Sequence, residues 1–582
     1  VNRQAPVAEA RRLAARGAWT QAALAWRRIV ERAPRELEAW VGLGHALAYA
    51  GRYPEAVDAF AEAMRHGLPA DAVAAGLGVT FCLRQQYEVA CENLELAVTL
   101  NPKNLGAWSN LVVASMRVGR AARAVEAAEI VLADNPRNLS ALGGLGSLHK
   151  DAGRPDEAAR WWQRAADAAP DDPTQVSNLL WSLLHSDTVG PESLLAHGRE
   201  FDRRAVARTP ARDAFKPRAA RAGAPVRVGW LSGDLRNHAV GQFVVPVLER
   251  LDRARVASFV YATSHFFDDY SERAKAVSRS WRNVATLDDD ALVAVMRDDA
   301  LDVVVDLAGH TDGSRLSALA RRVAPAQVSW LGYPGTTGLR AVDHVLVPPD
   351  PALLAGAWCS EAPVALPDCY CAREVSPAAL GTPPMPWRAR GHLTLGCLNN
   401  FSKVSPACVA AWSRILAAVP TARLILVVNG SRDGAQSRDI VARFVSRGAA
   451  SSQLDLRERM TFDAYLATWR ELDLALDPFP FNGGTTGFDS LCAGVPFATL
   501  VGPSLHQRMG ANLLRVVGLD ALAHDSVDAY VDHTVALAAR PEALEALRLH
   551  LHRAMPASPL VDVTRFARGL AQVLTGLARR SK

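Results

Sequence analysis

An α-helical repeat array followed by two facing Rossmann-like α/β lobes is the fold class this sequence predicts, and three observations predict it. Small and apolar residues recur with one fixed period through the first third of the chain. Beyond Pro225, short apolar runs alternate with helical spacing, and the alternation is broken once by a Pro- and Gly-rich stretch, Ser376 to Gly391. Late in that alternation, the run from Leu472 to Leu476 passes through Asp477-Pro478-Phe479-Pro480-Phe481-Asn482-Gly483-Gly484 into Thr485-Thr486-Gly487-Phe488-Asp489, a strand that ends in a glycine-rich turn and opens into a helix. With 582 residues, 49% of them hydrophobic, the chain exceeds one core and implies several domains.

In the first third, Ala22, Ala56, Ala90, Ala124 and Ala158 stand 34 residues apart. Pro34, Pro102, Pro136 and Pro170 keep the same register, as do Trp40, Trp108 and Leu142, then Leu43, Leu77, Leu111 and Leu145, then Gly44, Gly78 and Gly146. This is the tetratricopeptide pattern of two antiparallel helices per repeat, with small residues where helices touch and a proline closing the unit. Five repeats fill 3–172, a sixth begins at Pro173, and the array as a whole is placed at 1–186. Such arrays stack into a superhelix whose concave face suits extended polypeptide. Trp26, Trp40, Trp108 and Trp162 read as inter-helix core.

Residues 187–225 lose the period and gather Pro, Arg and Ala, which suggests an adapter. A first lobe is expected over 226–375, with strands at Val226 to Ser232, Val256 to Thr263, Leu301 to Leu307 and Gln327 to Leu331. The interlobe link is 376–391, and a second lobe over 392–582 carries strands at Leu393 to Cys397 and Arg423 to Val428. In open parallel sheets ligands sit beyond the carboxyl ends of the strands, so the cleft between two such lobes is the expected site.

Composition narrows the function classes. A net charge of +5 without long one-sign runs argues against nucleic acid as a partner. The eight cysteines lack paired CxxC spacing, which suits a reducing compartment and no structural zinc. No apolar run reaches membrane-spanning length and no secretory segment opens the chain, so a cytoplasmic protein is expected, with Val1 suggesting that the natural N-terminus lies upstream. The acidic runs Asp288-Asp289-Asp290 and Asp298-Asp299 flank helical stretches and read as caps or solvated faces rather than metal ligands.

The residues at the strand ends carry the chemistry. Amides at the start of the helix after Gly483 and Gly484 lack intrahelical partners and lie at the positive end of the macrodipole; with the hydroxyls of Thr485 and Thr486 they form a phosphate seat, or else one threonine simply caps the helix. Asp489, one turn on, could accept from a ribose. Lys403 follows Asn399 and Asn400 just before a helix that starts at Ala407, where a cation is out of place unless an anion joins it. His238, past the first strand of the first lobe, could present an imidazole to the cleft. Gly309-His310-Thr311 and Gly332-Tyr333-Pro334-Gly335 follow two further strands and read equally as turns.

Taken together, the repeats, Ser232-Gly233-Asp234 with Asn237-His238, Trp330-Leu331-Gly332-Tyr333-Pro334-Gly335-Thr336-Thr337-Gly338, Asn400-Phe401-Ser402-Lys403 and Asn482-Gly483-Gly484-Thr485-Thr486-Gly487 resemble the O-linked N-acetylglucosamine transferases. The resemblance implies a GT-B fold and an inverting transferase that needs no metal or other cofactor, moving sugar from uridine diphosphate N-acetylglucosamine to Ser or Thr of polypeptides presented by the repeats. It implies that Lys403 grips the diphosphate with Asn400 nearby, that Thr485 and Thr486 bind phosphate, and that Asp489 lies near the ribose. It further implies that His238 is a general base close to the acceptor, and that His310, Gly332, Tyr333 and Pro334 border the donor sugar. Two departures stand out: animal members carry a histidine where this chain has Gly484, and a base-stacking histidine near where this chain has Tyr465, whose ring could stack on the base of the nucleotide equally well. Relatives of the same layout that use guanosine diphosphate fucose, and a nucleotide-binding scaffold without turnover, are the competing expectations.

Overall fold

The repeat period fixes where the helices begin. A computed structural model describes residues 4–209, 215–217, 223–375, 380, 385–428 and 434–580. Helices start at Trp19, Tyr53, Tyr87, Ala121 and Pro155, and their partners at Leu37, Ala70, Leu105 and Leu139. The recurrent small residues sit where helices cross: the alanines at 22, 56, 90, 124 and 158 are fully buried. A Cβ on Gly42, Gly44 or Gly78 would fall 2.4 Å from Trp26, 2.7 Å from Phe60 or 2.5 Å from Leu94. Trp26 is core, and Trp40 and Trp108 donate their indole N–H to the carbonyls of Pro34 and Pro102 at 2.8 and 2.9 Å, tying each helix to the turn before it.

The described residues fall into two compact units, one made of the helices up to His149 together with 434–436, the other starting at Lys150. The second unit opens with helices Pro155–Ala168, Pro173–Leu183 and Pro191–Ala207. The last of these lies in the stretch expected to be an adapter; its Leu194, Phe201 and Ala205 are buried against the first lobe, and its Asp202 accepts from the Arg340 amide and guanidinium at 3.1 and 2.7 Å. Residues 210–214 and 218–222 of that stretch, and 376–379 and 381–384 of the expected interlobe link, lie outside the described residues.

The second unit contains two parallel sheets. The first is built from β1 (Val226–Ser232), β2 (Val256–Ala262), β3 (Ser280–Asn283), β4 (Val303–Asp306), β5 (Ala326–Ser329), β6 (His344–Val347) and β7 (Ala362–Ala365), in the order β3-β2-β1-β4-β5-β6-β7. The second is built from β8 (Thr394–Cys397), β9 (Arg423–Val428), β10 (Leu454–Glu458), β11 (Leu474–Leu476), β12 (Phe497–Leu500) and β13 (Ala523–His524), in the order β10-β9-β8-β11-β12-β13. Both follow the doubly wound order, which reverses direction between the first and fourth strands and opens a crevice there, at β1/β4 and at β8/β11. Central strands such as Val303-Val304-Val305-Asp306 are buried on both faces, hence their continuous apolar runs. The edges β3 (Ser-Trp-Arg-Asn) and β10 (Leu-Asp-Leu-Arg-Glu) are partly exposed and carry charge, so no apolar run announces them.

The final helix, Val563–Arg580, follows the second lobe in sequence yet packs on the first: Phe566 stacks on Trp330 at 5.9 Å between ring centroids, and Arg565 pairs with Asp368 at 2.6 Å. Among the described residues no helix is long and apolar enough to cross a membrane.

Candidate functional site

Both crevices are lined by the motifs that the sequence singles out, and the second lobe's is the more tightly built. Past β8, the side chain of Asn400 accepts from the Ser402 amide at 3.1 Å and caps a single 3-10 turn, Phe401–Lys403. Ser405, not Lys403, begins the following helix, Pro406–Ala418, by accepting from the Cys408 amide at 3.2 Å. Lys403 is thereby free to reach across to the loop after β11. Its Nζ donates to the Asn482 carbonyl at 3.0 Å and lies 4.0 Å from the centre of the Phe481 ring. Burial pushes its pKa down to about 8, against the pull of Asp477.

Asp477, just past the end of β11, holds that loop. Its carboxylate accepts from the Gly483 amide at 2.7 Å and from the Thr499 hydroxyl at 2.6 Å, and burial pushes it up to about 7 despite those bonds and Lys403. Gly483 is required by space: a Cβ there would lie 2.8 Å from Asn399 Oδ1 and 3.0 Å from Asp477 Oδ1. The helix Gly484–Cys492 begins with no side-chain cap, so neither Thr485 nor Thr486 fills that role. Gly484, Thr485 and Thr486 form its first turn and are all partly exposed, leaving backbone amides and two hydroxyls open beside the lysine. A cation and a helix N-terminus converge there, an arrangement whose chemistry suits an anion.

Asp489 and Tyr465 are brought together, but onto each other. The Tyr465 hydroxyl donates to Asp489 Oδ2 at 2.8 Å, and Oδ1 is taken by the guanidinium of Arg373. Arg373 also donates to Gln242 Oε1 at 3.0 Å and stacks on Phe488 at 4.6 Å. Gln242 lies on the helix Ala239–Arg250 that His238 begins, so one hydrogen-bond network joins this second-lobe carboxylate to the first lobe. Each Asp489 oxygen keeps one further lone pair for a ligand.

In the first-lobe crevice, His238 caps Ala239–Arg250: its Nδ1 accepts from the Val240 amide at 3.3 Å and lies 3.7 Å from Asp234 Oδ2. Its side chain is 42% exposed, enough to meet a substrate. Burial lowers its pKa and Asp234 opposes that. A neutral ring whose Nδ1 accepts carries its proton on Nε2, so in this position Nε2 is a donor, and service as a base requires release of the Val240 bond.

His310 has both nitrogens engaged, by the Ser177 hydroxyl at 2.8 Å and the Thr337 carbonyl at 2.9 Å, and burial lowers its pKa to about 4. It braces the turn and offers no nitrogen to a sugar. Gly332 presses on the β4 loop, where a Cβ would meet the Leu307 carbonyl oxygen at 2.0 Å. Tyr333 and Pro334 are buried behind it; the Tyr333 ring lies 5.0 Å from His310, and its hydroxyl has no hydrogen-bond partner. Trp181 and His185, from the end of helix Pro173–Leu183 and the turn after it, reach Phe481 at 5.6 and 4.8 Å. Sequence reasoning missed both, because the repeat register marks only small and apolar slots; it also missed Arg373, a lone arginine in no pattern.

Two doubly wound sheets in one unit, each with its motifs at the strand-order reversal, define a two-lobed α/β class of fold. The pattern of glycosyl transferase family 41 matches residues 201–352 and 392–570, and a tetratricopeptide repeat pattern matches 7–75 and 109–173; the chain belongs to glycosyl transferase family 41. It is similar to the probable UDP-N-acetylglucosamine–peptide N-acetylglucosaminyltransferase SPINDLY of Arabidopsis thaliana, with 33% identity over 60% of this chain and 38% of the relative. The corresponding protein of Solanum lycopersicum is 31% identical over 61% of this chain and 39% of its own length. The chain thus spans well under half the length of these relatives. A solved structure of a Thermobaculum terrenum O-GlcNAc transferase mutant superposes with a TM-score of 0.81 at 28% identity, over 88% of this chain and 99% of that one.

Proposed function

We propose that the chain is an inverting, metal-independent glycosyltransferase that moves N-acetylglucosamine from uridine diphosphate N-acetylglucosamine to Ser or Thr hydroxyls of polypeptides. The observation that carries this is the convergence of Lys403 with the open first turn Gly484 to Thr486 at the β8/β11 reversal. In the transfer, the acceptor oxygen bonds to the anomeric carbon from the face opposite the bond that breaks, and the nucleotide diphosphate leaves with the electron pair. Its growing charge is met by the ammonium of Lys403 and the helix amides, which supplies the stabilisation a metal ion would otherwise give. The hydroxyl proton leaves by way of His238, an exposed imidazole at the first-lobe crevice, once its ring releases Val240. The names of the similar proteins support the donor and the peptide acceptor, and the repeats support presentation of an extended polypeptide.

The test is incubation of the full chain with a Ser/Thr-rich polypeptide and the sugar nucleotide in a chelator, reading the acceptor's mass and the anomeric configuration of the product. One N-acetylhexosamine increment in β linkage is expected. Transfer only from guanosine diphosphate fucose would replace the donor, a requirement for added Mg²⁺ would remove the metal-free mechanism, and nucleotide binding without transfer from either donor would make the chain a scaffold.

A further inference from the structure

We propose that His506 is a ligand-binding residue of the second-lobe crevice, presenting its ring Nδ1 to the diphosphate of the nucleotide that Lys403 holds. The inference rests on the reading above that this crevice takes a nucleotide diphosphate.

His506 lies in the 3-10 turn Leu505–Gln507, between β12 and the helix Met509–Val516. The turn is fixed on three sides. The Asn482 amide donates to the His506 carbonyl at 2.9 Å, the Gly502 amide to the Gln507 carbonyl at 3.1 Å, and Arg508 Nε to the buried Asp350 of the first lobe at 2.8 Å. Asn482 thus touches both partners of the site, giving its carbonyl to Lys403 and its N–H to the His506 backbone. The Phe481 ring is shared as well: the His506 ring meets it edge-on at 5.9 Å, and the Lys403 amine lies 4.0 Å from its centre.

His506 is 3% exposed, yet its ring Nδ1 has no hydrogen-bond partner. A buried ring nitrogen without a partner weakens the fold, and an apolar ring of the same shape would fill the space without that cost. An imidazole here is therefore explained by a partner that comes with a ligand. Burial and the neighbouring Lys403 keep the ring uncharged, lowering its pKa to about 3. A neutral imidazole with its proton on Nδ1 donates to a phosphate oxygen without adding a second buried cation beside the lysine. The helix that follows the turn packs against the start of the helix after Gly483: Met509 Cε lies 3.2 Å from where a Gly484 Cβ would stand.

Calorimetric titration of uridine diphosphate and uridine monophosphate into the full chain, its His506→Phe variant and its His506→Asn variant tests this, with a melting temperature for each. His506→Phe keeps a ring against Phe481 and removes both nitrogens. It is expected to weaken the diphosphate on the order of 10- to 100-fold, the range of a hydrogen bond to a charged group, with the monophosphate unchanged and the melting temperature equal or higher. His506→Asn, whose amide can stand near Nδ1, is expected to recover most of the diphosphate affinity. Equal diphosphate affinity in wild type and His506→Phe, an equal loss for the monophosphate, or a loss that tracks a lowered melting temperature would overturn the role of His506 while leaving the crevice assignment intact. A wild type that binds guanosine diphosphate instead is put through the same comparison with the guanosine nucleotides, since the diphosphate is the group contacted. A wild type that binds neither diphosphate overturns the crevice reading and this inference together.

Discussion

The two lobes place an aspartate at the same point of the same topology, and what surrounds each is different. Asp306 ends β4 and Asp477 follows the end of β11, both at the strand beside the crevice. Each accepts a loop glycine amide, from Gly309 at 2.8 Å and Gly483 at 2.7 Å, and burial raises them to about 6 and about 7. Asp306 is satisfied by the backbone of its own loop, and beyond Gly309 the loop locks into His310 and Tyr333. Asp477 instead shares its surroundings with Lys403, Thr499 and an uncapped helix start. A carboxylate at the strand end only shapes the loop; a crevice becomes an anion site when a cation and open amides join it. The first lobe instead keeps an imidazole, His238, at its half-exposed rim.

The largest effect is expected where the lobes are joined. Arg373→Met leaves the Asp489 carboxylate, 4% exposed, without its cation, and should destabilise the chain by about 3–5 kcal/mol in a denaturant melt. Asp489→Asn added to that variant should restore part of the loss, because the stranded charge goes with it.

A pair of glycine substitutions sharpens the comparison directly. Gly483→Ala forces a Cβ between Asn399 and Asp477, and Gly309→Ala combines a φ of +55° with a Cβ 2.3 Å from Tyr333. Each should cost about 1–3 kcal/mol of stability, but only Gly483→Ala should also weaken nucleotide binding, measured by titration of the folded variants. Equal effects on the nucleotide would mean that the crevices do not differ as described.

The smallest effect is a shift in pH dependence. Lys403 is charged below about 8 in the free protein, and an anionic ligand retains that proton. Affinity should therefore be level below that pH and fall toward about tenfold per unit above it. The Asp477 carboxylate favours the ammonium, so Asp477→Asn should move the midpoint of that fall to lower pH. A midpoint that stays put would separate the two residues.

Much of this was legible in the sequence, for identifiable reasons. The repeat helices follow from a period that small residues impose at crossings, and β1, β4, β8, β9 and β11 from apolar runs buried on both faces. The acidic run at Asp288 reads as a cap, and Asp288 does accept from the Ala291 amide at 2.8 Å. The strand, glycine turn and helix around Gly483 follow from spacing alone, as Leu474–Leu476 and Gly484–Cys492 show. The destination of Lys403 was not legible, since the Asn482 carbonyl reaches it only through the strand order. Nor was the hydrogen bond from the Tyr465 hydroxyl to Asp489, since 24 residues separate the two along the chain. Arg373, Trp181, His185 and His506 are single residues whose meaning lies in contacts across elements, and the same holds for the partners of both His310 nitrogens, Ser177 and Thr337.

The most direct test of the second-lobe crevice is titration of uridine diphosphate into the wild type and Lys403→Ala in the presence of a chelator, with melting temperatures alongside. Metal-free binding that Lys403→Ala weakens on the order of 100-fold at an undiminished melting temperature is the predicted result. Binding that survives Lys403→Ala, or that appears only when Mg²⁺ is supplied, would contradict it.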